Sequence, residues 1–106
     1  MDGIEWTASA MRAARTRLEI AAQNLANASS EGFRKAVAHV ALGAQGLIVS
    51  KTASREPLVG GRSNVNAIGE MVDVLDAQRS FETAQKALAA IDETRAKAAN
   101  EVGRLR

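Results

Sequence analysis

The sequence predicts a mainly α fold, with two long antiparallel amphipathic helices of coiled-coil type joined by a short β-ribbon or irregular middle. Residues 1–31 and 63–106 have helix-forming composition and apolar residues at three- and four-residue steps. Residues 32–62 instead concentrate glycine, the single proline and β-compatible side chains. Alanine supplies much of the 46% hydrophobic content and aromatic residues only 3%. Because alanine buries little apolar area, the composition favours helices that pack on partners.

The first helix is predicted to begin at Asp2, an N-cap with Glu5 three residues later, and to end at about Ala28. Large apolar residues recur every seven positions, and alanines follow three positions later. These residues are Ile4, Met11, Leu18 and Leu25, then Ala14, Ala21 and Ala28. Small residues let a partner helix approach closely. An ordinary amphipathic helix on a globular core has the same periodicity.

The middle segment carries signals for strands and turns. Two β-compatible runs flank a turn at residues 43–46, which predicts a hairpin. The runs are Val37, Val40 and Leu42, then Leu47, Ile48 and Val49. Residues 56–59 form a candidate third strand at the edge, because Pro57 cannot donate to a ladder. Gly32, before this segment, can adopt the left-handed conformation that closes a helix.

The second helix is predicted to start near residues 63–66, with Asn64 or Asn66 as its cap and Glu70 in its first turns. Its apolar stripe comprises Met71, Val74, Ala77, Phe81, Ala84, Leu88, Ile91, Ala98, Val102 and Leu105, interrupted by Arg95. Such a stripe spans about 38 residues, or ~57 Å of helix. The first helix is too short to cover this stripe. Either the end of the second helix frays, or another chain covers the rest of the stripe.

Nothing in the sequence indicates catalysis, and we expect neither enzyme activity nor a cofactor. The chain has no cysteine, and its one histidine, His39, lies in an apolar stretch where a structural or partly exposed role is expected. The charge of +2 is interspersed along the chain, which argues against nucleic-acid binding. No apolar run is long enough for membrane insertion, and the N-terminus has no secretory signal pattern. Trp6 is expected to pack or to anchor a neighbouring subunit, and Asp76 to pair weakly with Arg79.

Two segments resemble the signatures of bacterial flagellar rod and hook axial proteins. Residues 22–35, AQNLANASSEGFRK, are similar to the N-terminal signature, in which an Asn-Leu/Ile-Ala-Asn run precedes Thr or Ser, Gly, an aromatic residue and basic residues. Residues 63–66, 70–73 and 77–82 resemble the C-terminal signature. The matching positions are Asn24, Asn27, Gly32 and Phe33 in the first motif, and Asn64, Asn66, Glu70, Met71, Gln78 and Arg79 in the second. The short middle is similar to that of the proximal-rod members of the family, which have the shortest insertion.

The resemblance implies a non-enzymatic subunit of the flagellar basal-body rod, the driveshaft that crosses the periplasm. Implied partners are other rod subunits, in a homo- and hetero-oligomeric helical assembly, and the flagellar type III export apparatus. Export without a cleaved signal peptide is also implied. The terminal helices of family members are often disordered in the free subunit and pack on assembly.

The two apolar stripes and the resemblance together predict an interface within and between subunits. Its residues are Ile4, Met11, Leu18 and Leu25 of the first helix, and Met71, Val74, Phe81, Leu88 and Ile91 of the second. For Asn24, Asn27 and Gly32 two interpretations stay open: a simple helix stop, or a fixed turn that sets how the chain meets the next subunit. The alternatives for the whole chain are a helical-hairpin adaptor unrelated to flagella and a basic nucleic-acid-binding module.

Overall fold

A computed structural model describes residues 3–104. It has two helices, and a small two-stranded sheet lies between them in chain order. The elements are α1 (Gly3–Ala26), β1 (Ala36–Gly43), β2 (Gly46–Ala53) and α2 (Ala67–Arg104). The prediction of a mainly α chain with a short β-ribbon is therefore confirmed. The expected cap at Asp2 and the last stripe residue, Leu105, lie outside the described residues.

The hairpin forms where the turn signal predicts it. The antiparallel register pairs Leu42 with Leu47 and Gly43 with Gly46, which leaves a two-residue loop. Gly46 has a φ of 111°, a conformation that disfavours residues with a Cβ. The strands together expose several large apolar side chains, notably Leu42 at 71% and Ile48 at 57%.

The predicted third strand at residues 56–59 is wrong. In this stretch only Val59 makes a β-bridge, an isolated one with Ser63. The carbonyl oxygen of Glu56 accepts hydrogen bonds from the side chains of Arg34 (2.9 Å) and Asn64 (3.0 Å). Side chains therefore satisfy a backbone group that a third strand would have used in a ladder.

The helix ends follow the predicted residue types but not all of the predicted positions. α1 ends at Ala26, two residues before the expected end, and the amide of Asn27 still bonds to the carbonyl of Gln23. Gly32 is left-handed, with a φ of 68°, but it lies six residues beyond the helix. It therefore shapes the following turn, and the expectation that it closes α1 is wrong. Asn66 caps α2, because its side-chain oxygen accepts the amide of Gly69 at 3.2 Å.

α1 lies between the hairpin and α2. Near its start, the Ser9 hydroxyl accepts the amide of Leu47 at 3.2 Å. On its other side, α1 contacts α2 in opposite chain order, from Gly3 beside Ile91 to Arg17, which bonds to Asp76 at 2.5 Å. The residues buried in α1 and α2 are mostly small: Thr7, Ser9, Ala13, Ala14, Ile20, Ala21 and Asn24, then Glu70, Ala77 and Ala84.

The molecule is elongated, with extents of 72 × 25 × 13 Å and a radius of gyration of 19.1 Å. A compact domain of this length would have a radius of gyration of ~13 Å. The accessible surface is 7527 Å², whereas a compact monomer of this mass exposes ~5,700 Å². Residues 92–104 of α2 contribute to this excess, because each of them is exposed.

Candidate functional site

The first motif places a buried asparagine against the strand that follows it. Asn24 is 2% exposed, near the end of α1. Its side-chain amide donates to the carbonyl of Ala36 at 2.8 Å, and its oxygen accepts the Ala36 amide at 2.9 Å. A side chain that satisfies both backbone groups of one residue acts as a one-residue strand partner. Asn24 therefore fixes the start of β1 against α1.

The second motif holds the same stretch of backbone from the other side. The side-chain oxygen of Asn64 accepts the amide of Lys35 at 2.7 Å. The backbone amide of Asn64 donates to the carbonyl of Phe33 at 3.3 Å, and its side-chain amide donates to the carbonyl of Glu56. Asn64 is 7% exposed. We call this arrangement of Asn24 and Asn64 around residues 33–36 the asparagine junction.

The remaining motif residues surround the asparagine junction. Asn27 donates to the carbonyl of Gln23 and accepts from Ser30, and so stabilises the turn after α1. The amide of Gly32 donates to the carbonyl of Gly61 at 3.3 Å, which joins the turn to the loop before α2. The two segments that sequence reasoning singled out, separated by about thirty residues, thus meet in one hydrogen-bonded unit.

Glu70 is a buried carboxyl group at the start of α2. It is 4% exposed, and burial raises the pKa of its carboxyl above the ordinary value of 4.5. A hydrogen bond from Asn24 lowers this pKa, Asp73 raises it, and Lys35 lowers it. The same residues and Arg17 line a cleft of about 220 Å³. Asn24 bonds to both Glu70 and Ala36 in this cleft, and Arg17 bonds to Asp76 beside it, which is typical of a structural network.

The predicted interface residues mostly lie at the edges of the contact between α1 and α2. Those that are half-buried are Ile4, Met11, Leu18, Leu25, Val74, Phe81, Leu88 and Ile91. Met71 differs, since it is 53% exposed and is not part of this contact. Gln78 and Arg79 are exposed on α2, and Phe33 is half-buried beside the asparagine junction. No partner chain tests these positions as an interface, and they stay predictions.

Several residues have contacts that the sequence did not predict. Asp76 pairs with Arg17, and not with Arg79 as expected. Ser9, only 1% exposed, links α1 to the hairpin, and nothing local in the sequence signals that contact. His39 is exposed and bonds to Thr52 at 2.8 Å. Trp6 is 43% exposed and lines an open groove with Arg79, Thr83 and Ala87.

An exposed apolar surface on α2 was also missed, although spacing signals it. Ile68, Val72 and Leu75 follow a helical three- and four-residue step and are 75%, 58% and 58% exposed. Among residues 3–104, no group of three or more acidic, histidine or cysteine side chains could hold a metal ion. The helices in the same part of the chain lack the length of apolar sequence that crossing a membrane requires.

Comparison with protein families places matches at both ends of the chain. Residues 4–34 match a family model described as flagella basal body rod protein. Residues 61–101 match one described as flagellar basal body rod FlgEFG protein C-terminal. Together the two matches cover about two thirds of the 106 residues and include both halves of the asparagine junction. No curated protein significantly matches the chain.

Proposed function

We propose, on the premise that this chain belongs to the flagellar basal body rod protein family, that its two helices build it into the rod through contacts with neighbouring subunits. As a member of that family, the protein is a structural subunit of the flagellar basal-body rod. Rod families are in general non-enzymatic, and we infer that this chain has no catalytic role. Its place of action is the basal body.

The observation that best supports this proposal is the asparagine junction. The two segments matched by rod families are distant in sequence, yet Asn24 of one bonds to the backbone of Ala36 and Asn64 of the other bonds to the backbone of the adjacent Lys35. This rigid connection fixes where α1 ends and where the chain turns back toward α2. We therefore favour the interpretation of the first motif as a fixed turn over that of a simple helix stop.

The half-buried stripes supply the contacts that the proposal needs. Leu18 and Phe81 are partly covered within the chain and keep part of their apolar surface open to a neighbour. Burying such a side chain fully stabilises a contact by about 1.5–3 kcal/mol. We propose that α1 and α2 pair as an antiparallel coiled coil, and that homo- and hetero-oligomeric contacts through these edges repeat along a helical assembly.

Two further parts of the proposal come from the family alone. We propose that the chain leaves the cytoplasm through the flagellar type III export apparatus, without cleavage of a signal peptide. We also propose that the assembled protein spans part of the periplasm within the rod. Mass spectrometry of the protein in isolated basal bodies would test the first of these, since an uncleaved chain retains its N-terminal residues.

The direct test is deletion of the gene in its host, with electron microscopy of basal bodies and a motility assay. We expect truncated rods without hooks, rescued by the intact gene. Rescue with Leu18→Asp should fail, whereas Gln23→Asp, an exposed position on the same helix, should restore swimming. Circular dichroism of both purified variants checks that they remain helical. Complete basal bodies and normal swimming in the deletion strain would overturn the proposal and favour a helical-hairpin adaptor.

A further inference from the structure

The outer side of β1 has backbone groups that point away from the sheet. Asn24 of α1 bonds to both the amide and the carbonyl of Ala36, so these two groups do not face β2. In an antiparallel pair, the backbone groups of alternate residues point to the same side. The amides and carbonyls of Ala38, Val40 and Leu42 therefore also point away from β2. We call these three residues the β1 edge.

The hairpin loop gives the same orientation independently. Gly43 and Gly46 close a two-residue loop and so form a hydrogen-bonded pair. Leu42 and Leu47 are the next pair, which is of the non-hydrogen-bonded kind and directs its backbone groups outward. The Leu47 amide does point outward, because it bonds to the Ser9 hydroxyl of α1. No side chain or loop within residues 3–104 bonds to the backbone of the β1 edge in a corresponding way.

The β1 edge is accessible from the side of α2. Among residues 3–104, no Cα atom of α2 lies within 8 Å of a Cα atom of β1. The cleft of about 220 Å³ lies between the two elements, and Ala38 lines it. Val40 and Leu42, farther along the strand, are 49% and 71% exposed. Another chain can therefore approach these backbone groups.

The β1 edge lacks the features that protect edge strands from pairing. Such strands usually carry a charged residue, a proline or a β-bulge. Residues 36–43 contain no lysine, arginine, aspartate, glutamate or proline, and their register with β2 is continuous. β2 differs, since it carries Lys51 and its Leu47 amide is already bonded by Ser9. The two edges of the sheet are therefore not equivalent, and β1 is the one available for pairing.

We propose that the β1 edge binds an extended segment of a different protein of the rod assembly, which adds a third strand to the sheet. This inference rests on the proposed function and names the kind of partner that one surface of the subunit recognises. Only an extended chain offers donors and acceptors at the two-residue spacing of the β1 edge, because a helix uses its backbone groups internally. Strand addition to an open sheet edge is a recurrent mode of peptide recognition.

The surroundings of the β1 edge determine the chemistry of this segment. β1 has no strongly charged side chain, and the neighbouring cleft has as many carboxyl as cationic side chains. These are Glu70 and Asp73, and Arg17 and Lys35. The site therefore favours neither an acidic nor a basic segment. Val40 and Leu42 lie on one face of the sheet and pair best with apolar cross-strand neighbours. We expect an uncharged segment with apolar side chains at alternate positions.

A second copy of the chain is not suited to this role. Two β1 edges would pair symmetrically about Val40, and such a contact closes as a dimer. A rod needs contacts that continue from subunit to subunit. The outer side of β2 in a second copy is also unsuitable, because Ser9 already bonds to the Leu47 amide there. The added strand therefore comes from another protein.

The first test replaces Val40 in the full chain, expressed in the deletion strain. Val40→Pro removes an outward amide but no hydrogen bond of the ladder, so the hairpin should remain folded. We expect at least ~10-fold fewer complete basal bodies per cell, because one backbone donor is lost and the proline ring obstructs the added strand. Lys51→Pro removes an outward amide from the exposed side of β2 and is the matched control. It should restore swimming.

The second test identifies the occupant by photocrosslinking. p-Benzoylphenylalanine in place of Leu42, at the β1 edge, should crosslink in assembled basal bodies to an uncharged extended segment of another rod-assembly protein. Mass spectrometry maps the crosslinked peptide. The same photoreactive group in place of Lys51, on the other side of the sheet, should not give this crosslink.

Three results would overturn the inference. Normal swimming with Val40→Pro, when circular dichroism shows that the variant is folded, would mean that no strand pairs with the β1 edge. A crosslink from position 42 to β1 of a second copy would indicate a symmetric pair, and a crosslink to a helix would indicate a contact through side chains only. If Val40→Pro does not fold, Leu42→Lys decides, because it adds a charge at an exposed position without changing the backbone. It should cause the same loss of basal bodies, and normal swimming would overturn the inference.

The deletion strain separates this inference from the proposed function. If the strain lacks rods but folded Val40→Pro restores them, the protein is a rod subunit and only the strand addition fails. If the strain has complete basal bodies, the proposed function fails, and with it the rod-assembly partner. A crosslink from position 42 to an extended segment would in that case show strand addition by a protein that acts elsewhere.

Discussion

The two parts of α2 have similar composition but very different surroundings. Residues 67–91 pack along α1, with Ala77 at 1% and Ala84 at 7% exposure. Residues 92–104 are exposed throughout, although the helix continues without interruption. Helix propensity therefore determines which residues belong to α2. Contact with α1 determines which part of α2 the chain's own fold stabilises.

We call residues 67–91 of α2 the covered part and residues 92–104 the exposed part. The covered part also begins with a buried polar residue, Glu70, which serves as its anchor. Glu70 lies at the end of the contact with α1 and bonds to Asn24, which in turn fixes the start of β1. An isolated helix of thirteen residues is marginal in water. The exposed part is therefore the segment that gains most from a neighbouring chain.

The largest expected effect is that of Asn24→Ala, which removes the anchor of the covered part. The substitution leaves the amide and carbonyl of Ala36 without their partner and removes a hydrogen bond to Glu70. We expect the free energy of unfolding to fall by about 2–4 kcal/mol, because each unsatisfied buried group costs ~1–3 kcal/mol. Urea denaturation followed by circular dichroism measures this.

Asn27→Ala is the matched control for that prediction. Asn27 belongs to the same motif but is only partly buried, and its bonds to Gln23 and Ser30 are local. We expect a loss of less than about 1 kcal/mol, because both hydrogen bonds are near solvent and water can replace them. Equal losses for the two variants would contradict the central place of Asn24 in the asparagine junction.

A second prediction compares the same substitution in the two parts of α2. Ala77→Leu adds three carbon atoms where α1 and α2 are in contact, and we expect a loss of about 1–3 kcal/mol from overpacking. Ala98→Leu makes the same change in the exposed part and should alter the free energy of unfolding by less than ~0.5 kcal/mol. If both variants unfold like the wild type, the helices are not closely packed at Ala77.

The elements of this fold follow largely from local signals, whereas their packing does not. The hairpin turn at residues 43–46 and the cap at Asn66 were predicted, because glycine conformation and capping depend on neighbours in sequence. The pairing of Asn64 with Lys35 spans 29 residues, and periodicity does not encode such a distance. The motif resemblance singled out both asparagines but not their partners.

The buried side of α1 shows the same limit. The heptad pattern correctly marked Ala14 and Ala21, at 2% and 3% exposure. It did not mark Ser9 or Ile20, which are buried as well. The reason is that the hairpin covers a second side of α1, and a pattern along one helix does not show which side a distant hairpin will cover. The predicted interface stripe is therefore at the edge of the contact.

A third, smaller effect on stability is expected from pH, which acts through Glu70 near the start of α2. Burial raises the pKa of Glu70 in the folded protein above 4.5. The stability that the protonated carboxyl provides is then fully present below pH 4.5 and is lost as the pH rises through the folded value. Glu70→Gln removes this dependence, so the variant should gain stability relative to the wild type as the pH rises above 4.5.

Urea titrations of both proteins at several pH values give this difference. Glu101→Gln, at an exposed carboxyl of the other part of α2, is the matched control for the change in charge. If the advantage of Glu70→Gln were constant with pH, the carboxyl would titrate in the folded chain as it does in the unfolded one.

The smallest expected effect on folding comes from removing the exposed part altogether. Each of residues 92–104 is exposed, so none of them is covered by the hairpin or α1. A chain ending at Ile91 should therefore unfold with a free energy within about 0.5 kcal/mol of the full chain at low concentration. A loss of several kcal/mol would mean that this segment contributes to the fold of a single copy. If instead stability is retained and concentration-dependent association disappears, the two parts of α2 are divided between folding and assembly.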